Sequence, residues 1–348
     1  MTVARAMVTM GCPCGVGPEV GLLAALEPRA ARVLLVGDHG AALVAAAGRG
    51  IDPQRLVRVS DPALAWKLPR GRLGIWQPTA DLADADRRPG LPTRAAGAAQ
   101  LAWVDAACDR VVGREADALV TGPVSKQHIV GSRAPGSRGF TGHTEHLQKR
   151  LHAREVVMAF WSSALVTSLA TTHLPLARVP RALSASIVAR ATFWLAWLLS
   201  QLSRRLPRIA VAALNPHAGE GGLLGREERV SITPGIARAR ARLARSGVAA
   251  TIEGPIPAES AFRLAVAGRW DGVVAMYHDQ ATIPMKLIGF GEAVNVSLGL
   301  PIVRTSVDHG TAYDRAGTWS ADSSGMSLAI DLGARLAQSS RRRGASKT

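Results

Sequence analysis

The chain has 348 residues, 47% of them hydrophobic, and a formal charge of +16. That length exceeds a typical single domain, so two domains with largely aliphatic cores are expected. The positive charge is nearly all arginine, lysine standing only at 67, 126, 149, 286 and 347. Arginine replacing lysine through base composition, with charges spread over solvated faces, accounts for the bulk of it, and phosphorylated substrates are the functional reading. The lack of a basic patch interleaved with aromatics argues against nucleic acid.

Cys12, Cys14 and Cys108 are too few and too badly spaced for a disulfide framework, which points to a reducing cytoplasm. No signal peptide is visible before the first glycine turn.

Residues 3–10 read as a strand opening into Gly11-Cys12-Pro13-Cys14-Gly15-Val16-Gly17, and Pro18 suits the first turn of a following helix. Cys12-Pro13-Cys14 reads as a small-residue turn, because a Cys-x-Cys pair alone is a weak metal or redox signal. Residues 32–37 form a second strand and 38–47 a helix; 51–88 is proline-rich and irregular. An alanine-rich helix over 93–112 stops at Gly113, and the buried strand 118–120 opens into Thr121-Gly122-Pro123-Val124-Ser125-Lys126. A glycine- and arginine-rich loop covers 129–142. Residues 156–160 and 165–170 form a strand pair whose second member ends at Thr171-Thr172-His173. Residues 184–203 form a helix. Its greasiest part, 187–202, carries Arg190 and is shorter than a spanning helix needs, so it reads as a packed helix, with a subunit interface as one role and no membrane partner. The strand 209–214 ends at Asn215-Pro216-His217, residues 226–246 are helical with Pro234 either interrupting the helix or marking a restart, and the helix 258–267 leads into the apolar run 273–276. After Gly317 a last helix, 327–337, precedes an Arg/Ser tail read as disordered. Strands alternating with helices indicate an α/β fold.

The chemistry concentrates in residues 277–317, where short apolar runs open into Tyr277-His278-Asp279-Gln280, toward Arg304, and into Asp308-His309-Gly310. In open α/β sheets ligands bind beyond the carboxyl ends of strands. His173, His217 and His278 each follow an apolar strand. Three imidazoles with open coordination positions suit a catalytic divalent ion, zinc first, although any one of them alone is more often a hydrogen-bonded structural residue. Asp279 can orient a ligand imidazole or accept a proton. His143 and Thr144 suit a carboxylate or phosphate, and Thr144 also reads as the N-cap of 145–151. Lys286, Asn295 and Arg304 recur every nine residues among apolar neighbours; two cations with an amide donor fit a phosphate, and structural ion pairs remain the alternative. Neither G-x-G-x-x-G nor G-x-x-x-x-G-K-[ST] occurs, which disfavours Rossmann and P-loop enzymes.

The blocks GCPCGVGPEV, TGPVSK, FTGHTEHL, ATTHLPL, ALNPHAGEGGLLGREE and GPIPAESAF, with nearly all of 277–317, together resemble the 4-hydroxythreonine-4-phosphate dehydrogenase family of pyridoxal phosphate biosynthesis. The resemblance implies an isocitrate/isopropylmalate dehydrogenase-like fold of two α/β domains with the active site in the interdomain cleft. It assigns 1–128 plus 285–340 to a discontinuous dinucleotide-binding domain, 129–284 to a metal, substrate and dimerisation domain, and 341–348 to a disordered tail. It makes His173, His217 and His278 the ligands of a divalent metal, zinc or else magnesium, manganese or cobalt. His143, Thr144, Lys286, Asn295 and Arg304 would contact a small phosphorylated hydroxy acid, and Asp308, His309, Gly310, Thr311, Ala312 and Gly317 would hold NAD or NADP. Asp279 and Lys286 are the candidate bases for oxidation of the C3 hydroxyl followed by decarboxylation. Homodimers with shared active sites are implied.

Cys12, Ala281, Arg315 and Trp319 depart from the family's usual residues. The HDQ-x-x-IP-x-K form resembles the branch acting on D-threonate and D-erythronate 4-phosphate in sugar-acid catabolism, a second reading of the substrate. A catalytically silent small-molecule binding protein is the reading from another class.

Overall fold

A computed structural model describes residues 3–289 and 291–345. The strands among them run in chain order β1 (Arg5–Thr9), β2 (Arg32–Val36), β3 (Leu56–Val59), β4 (Leu73–Trp76), β5 (Ala118–Thr121), β6 (Val157–Trp161), β7 (Val166–Leu169), β8 (Arg208–Ala212), β9 (Thr251–Ile256), β10 (Gly272–Ala275), β11 (Val294–Leu298) and β12 (Val303–Val307). The chain divides into two units, the first made of Met1–Arg154 with Leu300–Thr348 and the second of Glu155–Gly299.

In the first unit the strand order is β3-β4-β2-β1-β5-β12, with every pairing parallel. Parallel strands covered on both faces need continuous apolar runs. β4 (LGIW) and β5 (ALVT) are such runs and are buried throughout. The helices Arg94–Val112 and Ser324–Ala345 pack on this sheet.

The region 51–88, expected to be irregular, supplies β3 and β4. Strands of four residues are too short to show a hydrophobic period. What organises the segment is a buried carboxylate. Asp38 caps the helix His39–Gly48 by accepting from Ala41 N at 2.7 Å, and also accepts from Leu82 N, Gln77 Nε2 and Arg87 Nη1. One fully satisfied side chain thus ties a helix start to two later loops.

The second unit has the order β11-β6-β7-β10-β8-β9. β7, β10, β8 and β9 run parallel, while β6 is antiparallel to both neighbours. The helix Ala185–Leu202 is long and apolar enough to cross a membrane by length and composition, but 61% of it is buried, against β6, β7, β8, β10 and the helix Thr233–Ser246. Pro234 sits in the first turn of that last helix and does not interrupt it.

The unit boundaries fall at 154/155 and 299/300, against 128/129 and 284/285 in the sequence reading. Residues 129–154 stay with the first unit for local reasons. Gly97 lets the helix Lys126–Ser132 approach so closely that a Cβ there would lie 2.1 Å from His128 O. The helix His143–Arg150 is tied to Arg94–Val112 by His146 to Asp105 at 2.6 Å and Arg150 to Asp109 at 2.7 Å. Residues 285–299 stay with the second because Met285 is in its core and β11 pairs with β6. The helix Ser324–Ala345 takes in 341–345, where a disordered tail was expected; 346–348 lie outside the described residues.

Candidate functional site

In the second unit β7, β10 and β8 are adjacent and parallel, so their carboxyl ends share one edge. His173 follows β7, His278 follows β10 and His217 follows β8. Two of these loops are stitched by Ala170 N donating to Ala275 O at 2.8 Å and Thr171 Oγ1 to Met276 O at 2.7 Å. The result brings the His173 and His278 rings to 5.5 Å between centroids. Asp279 Oδ1 lies 2.7 Å from His278 Nδ1. If Nδ1 donates its proton there, Nε2 keeps its lone pair for a ligand, the usual outer arrangement of a metal-binding histidine.

His217 does not join them. Among the described residues no group of three or more His, Cys, Asp or Glu side chains is gathered for a metal. His217 begins a left-handed turn in which residues 217–221 all have positive φ, His217 itself at 51°. Such angles strain residues with a Cβ and persist where surroundings hold them. Here Glu228 Oε1 accepts from Leu214 N and Asn215 N, while Asn215 Nδ2 donates to Glu227 and Glu228. Gln280 bridges from the His278 loop to Ala213 O at 2.8 Å. These positioning residues were not singled out from sequence, though they stand inside the GREE and HDQ blocks. Two facing imidazoles with an orienting carboxylate fit part of a zinc-type set, which needs a third protein ligand.

Lys286 is exposed, contrary to the expectation of a buried cation. It falls in the last turn of the helix His278–Ile288, whose buried face is Ala281, Thr282 and Met285. Asn295 on β11 is half-buried, and its Oδ1 is sealed from solvent without a hydrogen-bond partner.

The first unit holds a different cluster. Arg304 on β12 is 3% exposed, and its Nη2 donates to Thr121 Oγ1, on the neighbouring strand β5, at 2.6 Å. Burial pulls its pKa down to about 10, with the Glu145 carboxylate acting in the opposite sense, so it stays a cation at neutral pH. The helix His143–Arg150 begins beside this charge. Its N-cap is Gly142, not Thr144, which lies buried in the first turn. The Gly142 backbone, at φ 164°, ψ 169°, takes the cap position without any side-chain bond. Helix amino termini offer unpaired N–H groups and a positive dipole end, and so favour anions. His143 Nε2 is sealed from solvent with no hydrogen-bond partner. A buried cation, a helix amino terminus and an orphan imidazole nitrogen together suit a phosphate.

Burial first, then the charge of Arg304, holds the His143 pKa well below its ordinary 6.5. The unfolded chain therefore takes up a proton near that pH and the folded chain does not. Stability is unaffected by this group above the ordinary value and falls as pH drops below it. Between pH 7.5 and 5.5 the wild type should lose more melting temperature than His143→Asn; equal losses would show that His143 carries no such linkage.

The loop 308–317 follows β12 and leans on the amino-terminal glycine turn. Thr311 O accepts from Val16 N at 3.0 Å, and a Cβ on Gly15 would lie 2.6 Å from that oxygen. Ala312 has φ 44° and Gly317 φ 83°. His309 Nδ1 is 3.0 Å from Gly310 O, and Asp308 is half-buried at the end of β12. Gly11, at φ 73°, lets the β1 loop meet the β5 loop, where a Cβ would lie 2.2 Å from Pro123 O. Cys12 and Cys14 are both free and fully buried in this turn. Cys12 Sγ is 3.3 Å from Tyr313 Oη, and a hydrogen bond from Cys14 helps bring its thiol pKa down to about 7. Backbone close approach, rather than a Rossmann fingerprint, shapes this edge of the sheet.

Comparison with known proteins agrees with the resemblance in the sequence. Residues 30–333 match the family model described as pyridoxal phosphate biosynthetic protein PdxA. A 4-hydroxythreonine-4-phosphate dehydrogenase of Geobacter metallireducens is 41% identical, with 97% of this chain and 96% of the relative covered. The crystal structure of a 4-hydroxythreonine-4-phosphate dehydrogenase from Klebsiella pneumoniae superposes with TM-score 0.78 at 32% identity, over 97% of this chain and 99% of that one. A terephthalate 1,2-cis-dihydrodiol dehydrogenase from Burkholderia xenovorans is similar at TM-score 0.64 and 28% identity, over 96% and 98%.

Proposed function

Because this chain belongs to the pyridoxal phosphate biosynthetic protein PdxA family, we propose that it acts as a 4-hydroxythreonine-4-phosphate dehydrogenase, oxidising the C3 hydroxyl of a 4-phosphorylated four-carbon acid. Its relatives are dehydrogenases, and the chain is an oxidoreductase. The observation that carries the substrate class is the pairing of buried Arg304 with the orphan His143 Nε2 at a helix start. A C4 phosphate satisfies all three with charge-assisted bonds.

Substrate contacts are assigned to His143, Thr144 and Arg304, with Lys286 and Asn295 as further candidates. NAD or NADP is assigned to Asp308, His309, Gly310, Thr311, Ala312 and Gly317. A bound nicotinamide would supply the hydride acceptor for the C3 hydrogen; Asp279, exposed beside His278, would take the hydroxyl proton and pass it to water, and Lys286 could do so only as the neutral amine. The 3-ketone so formed lies β to the carboxylate; the C1–C2 bond then breaks to release carbon dioxide, its electron pair passes into an enolate with the C3 oxygen, and C2 takes a proton from water.

A divalent ion on His173, His278 and His217, when bound, lowers the pKa of a coordinated hydroxyl. Since one chain brings only His173 and His278 together, the reading requires His217 from a second copy. Exposed apolar side chains follow each histidine in sequence: Leu176 after His173, Leu223 after His217, and Ile283 and Leu287 on the helix that His278 begins. Leu223 and Leu287 are more than four-fifths exposed, as side chains awaiting a partner surface are.

The test is a panel of 4-phosphorylated acids bearing either an amine or a hydroxyl at C2, with NAD or NADP and zinc or manganese, following reduced nicotinamide and carbon dioxide. Turnover of 4-hydroxythreonine 4-phosphate above the others is expected. Preference for D-threonate or D-erythronate 4-phosphate would move the enzyme to sugar-acid catabolism, and saturable binding without turnover would make it a silent binding protein.

A further inference from the structure

The first unit has a second basic site at the opposite edge of its sheet. A cavity of about 340 Å³ is lined by Arg29, Arg32, Arg55, Arg70 and Arg72, with Glu27 as the carboxylate among its walls. Arg32 is the first residue of β2, Arg55 immediately precedes β3, and Arg72 immediately precedes β4. These are the amino-terminal ends of parallel strands. The loops that carry 122–126 and 308–317 leave the carboxyl ends of β5 and β12, parallel strands of the same sheet. The cavity is therefore separate from the substrate and cofactor assignments above.

Its charge is poorly compensated. Arg29 pairs with Glu27 at 3.3 Å and Asp331 at 2.7 Å. Arg32, Arg55 and Arg72 instead donate to the neutral backbone oxygens of Leu68, Gly71 and Gln54. Among the described residues neither these three nor Arg70 has a carboxylate partner. A guanidinium has five N–H donors, and one carbonyl leaves most of them available. The carbonyl bonds also hold each planar fork in place, which reduces the entropy a ligand must offset. Four like charges around one small cavity repel one another, and a multivalent anion relieves that repulsion.

We propose that this cavity binds a small polyanion bearing phosphate or pyrophosphate groups. Bidentate guanidinium contacts recognise such groups, and the volume is at the lower end of small-molecule sites.

Inorganic pyrophosphate is the probe, titrated calorimetrically into the full chain. Wild type and Arg304→Ala should both show a site at this edge, with one equivalent per chain that does not depend on Arg304. Arg55→Gln/Arg72→Gln should weaken that site at least tenfold while leaving turnover unchanged. Arg70→Glu, at an exposed position with no partner among the described residues, should weaken it also, and checks the result should the double variant fold poorly. Absence of an Arg304-independent site, or unchanged affinity in these variants, would overturn the proposal.

Discussion

Arg304→Ala should raise KM for the 4-phosphorylated substrate about thirtyfold to several-thousandfold, because truncating one partner of a buried charged contact costs about 2–5 kcal/mol. The unphosphorylated analogue should change by less than about threefold, since it never makes that contact. The side chain is 3% exposed, and its Nη2 donates to Thr121 Oγ1. Its burial already costs free energy, as its lowered pKa records. A buried guanidinium offers planar, charge-assisted bonds to a phosphate. Steady-state kinetics on the two substrates decide the matter. Equal losses with both would move Arg304 from phosphate binding to a structural role.

Loss of any one of the three histidines should be larger still. His278→Ala, and separately His217→Ala, should lower metal-dependent kcat by roughly a thousandfold or more, because removing a ligand empties a site whose ion stabilises developing charge. Bound metal, measured on the purified protein, should fall in parallel. The structure adds a sharper test. His173 and His278 face each other in one chain and His217 stands apart. If His217 comes from a second copy, mixing the two inactive variants restores intact sites. Random re-pairing gives half heterodimers with one good site each, so activity should return to roughly one quarter of wild type. No recovery, with mixed dimers shown to form, would mean that the three imidazoles do not combine across subunits.

The position of His173, His217 and His278 just beyond strands was legible in the sequence, because each follows a short apolar run that ends in a polar turn. The helix start at Asp38 and the placement of Pro18 were legible too, since caps and first-turn prolines are local effects. The α/β class followed from alternation alone. Other features were decided only by tertiary structure. β3 and β4 lie in a segment without usable periodicity, and Asp38 pins it through loops up to 49 residues away. Lys286 is exposed and Arg304 buried, although both stand among apolar neighbours, because helix register decides the first and the middle of a parallel sheet the second. The adjacency of β7, β10 and β8, which groups three histidine loops on one edge, rests on pairings between residues more than a hundred apart for β7 with β10. The left-handed turn at His217 rests instead on a medium-range contact, with Glu228 accepting from Leu214 N and Asn215 N. Composition and spacing report what a residue can do and how its near neighbours fold; which groups finally meet is set by non-local pairing and burial, which no local pattern encodes.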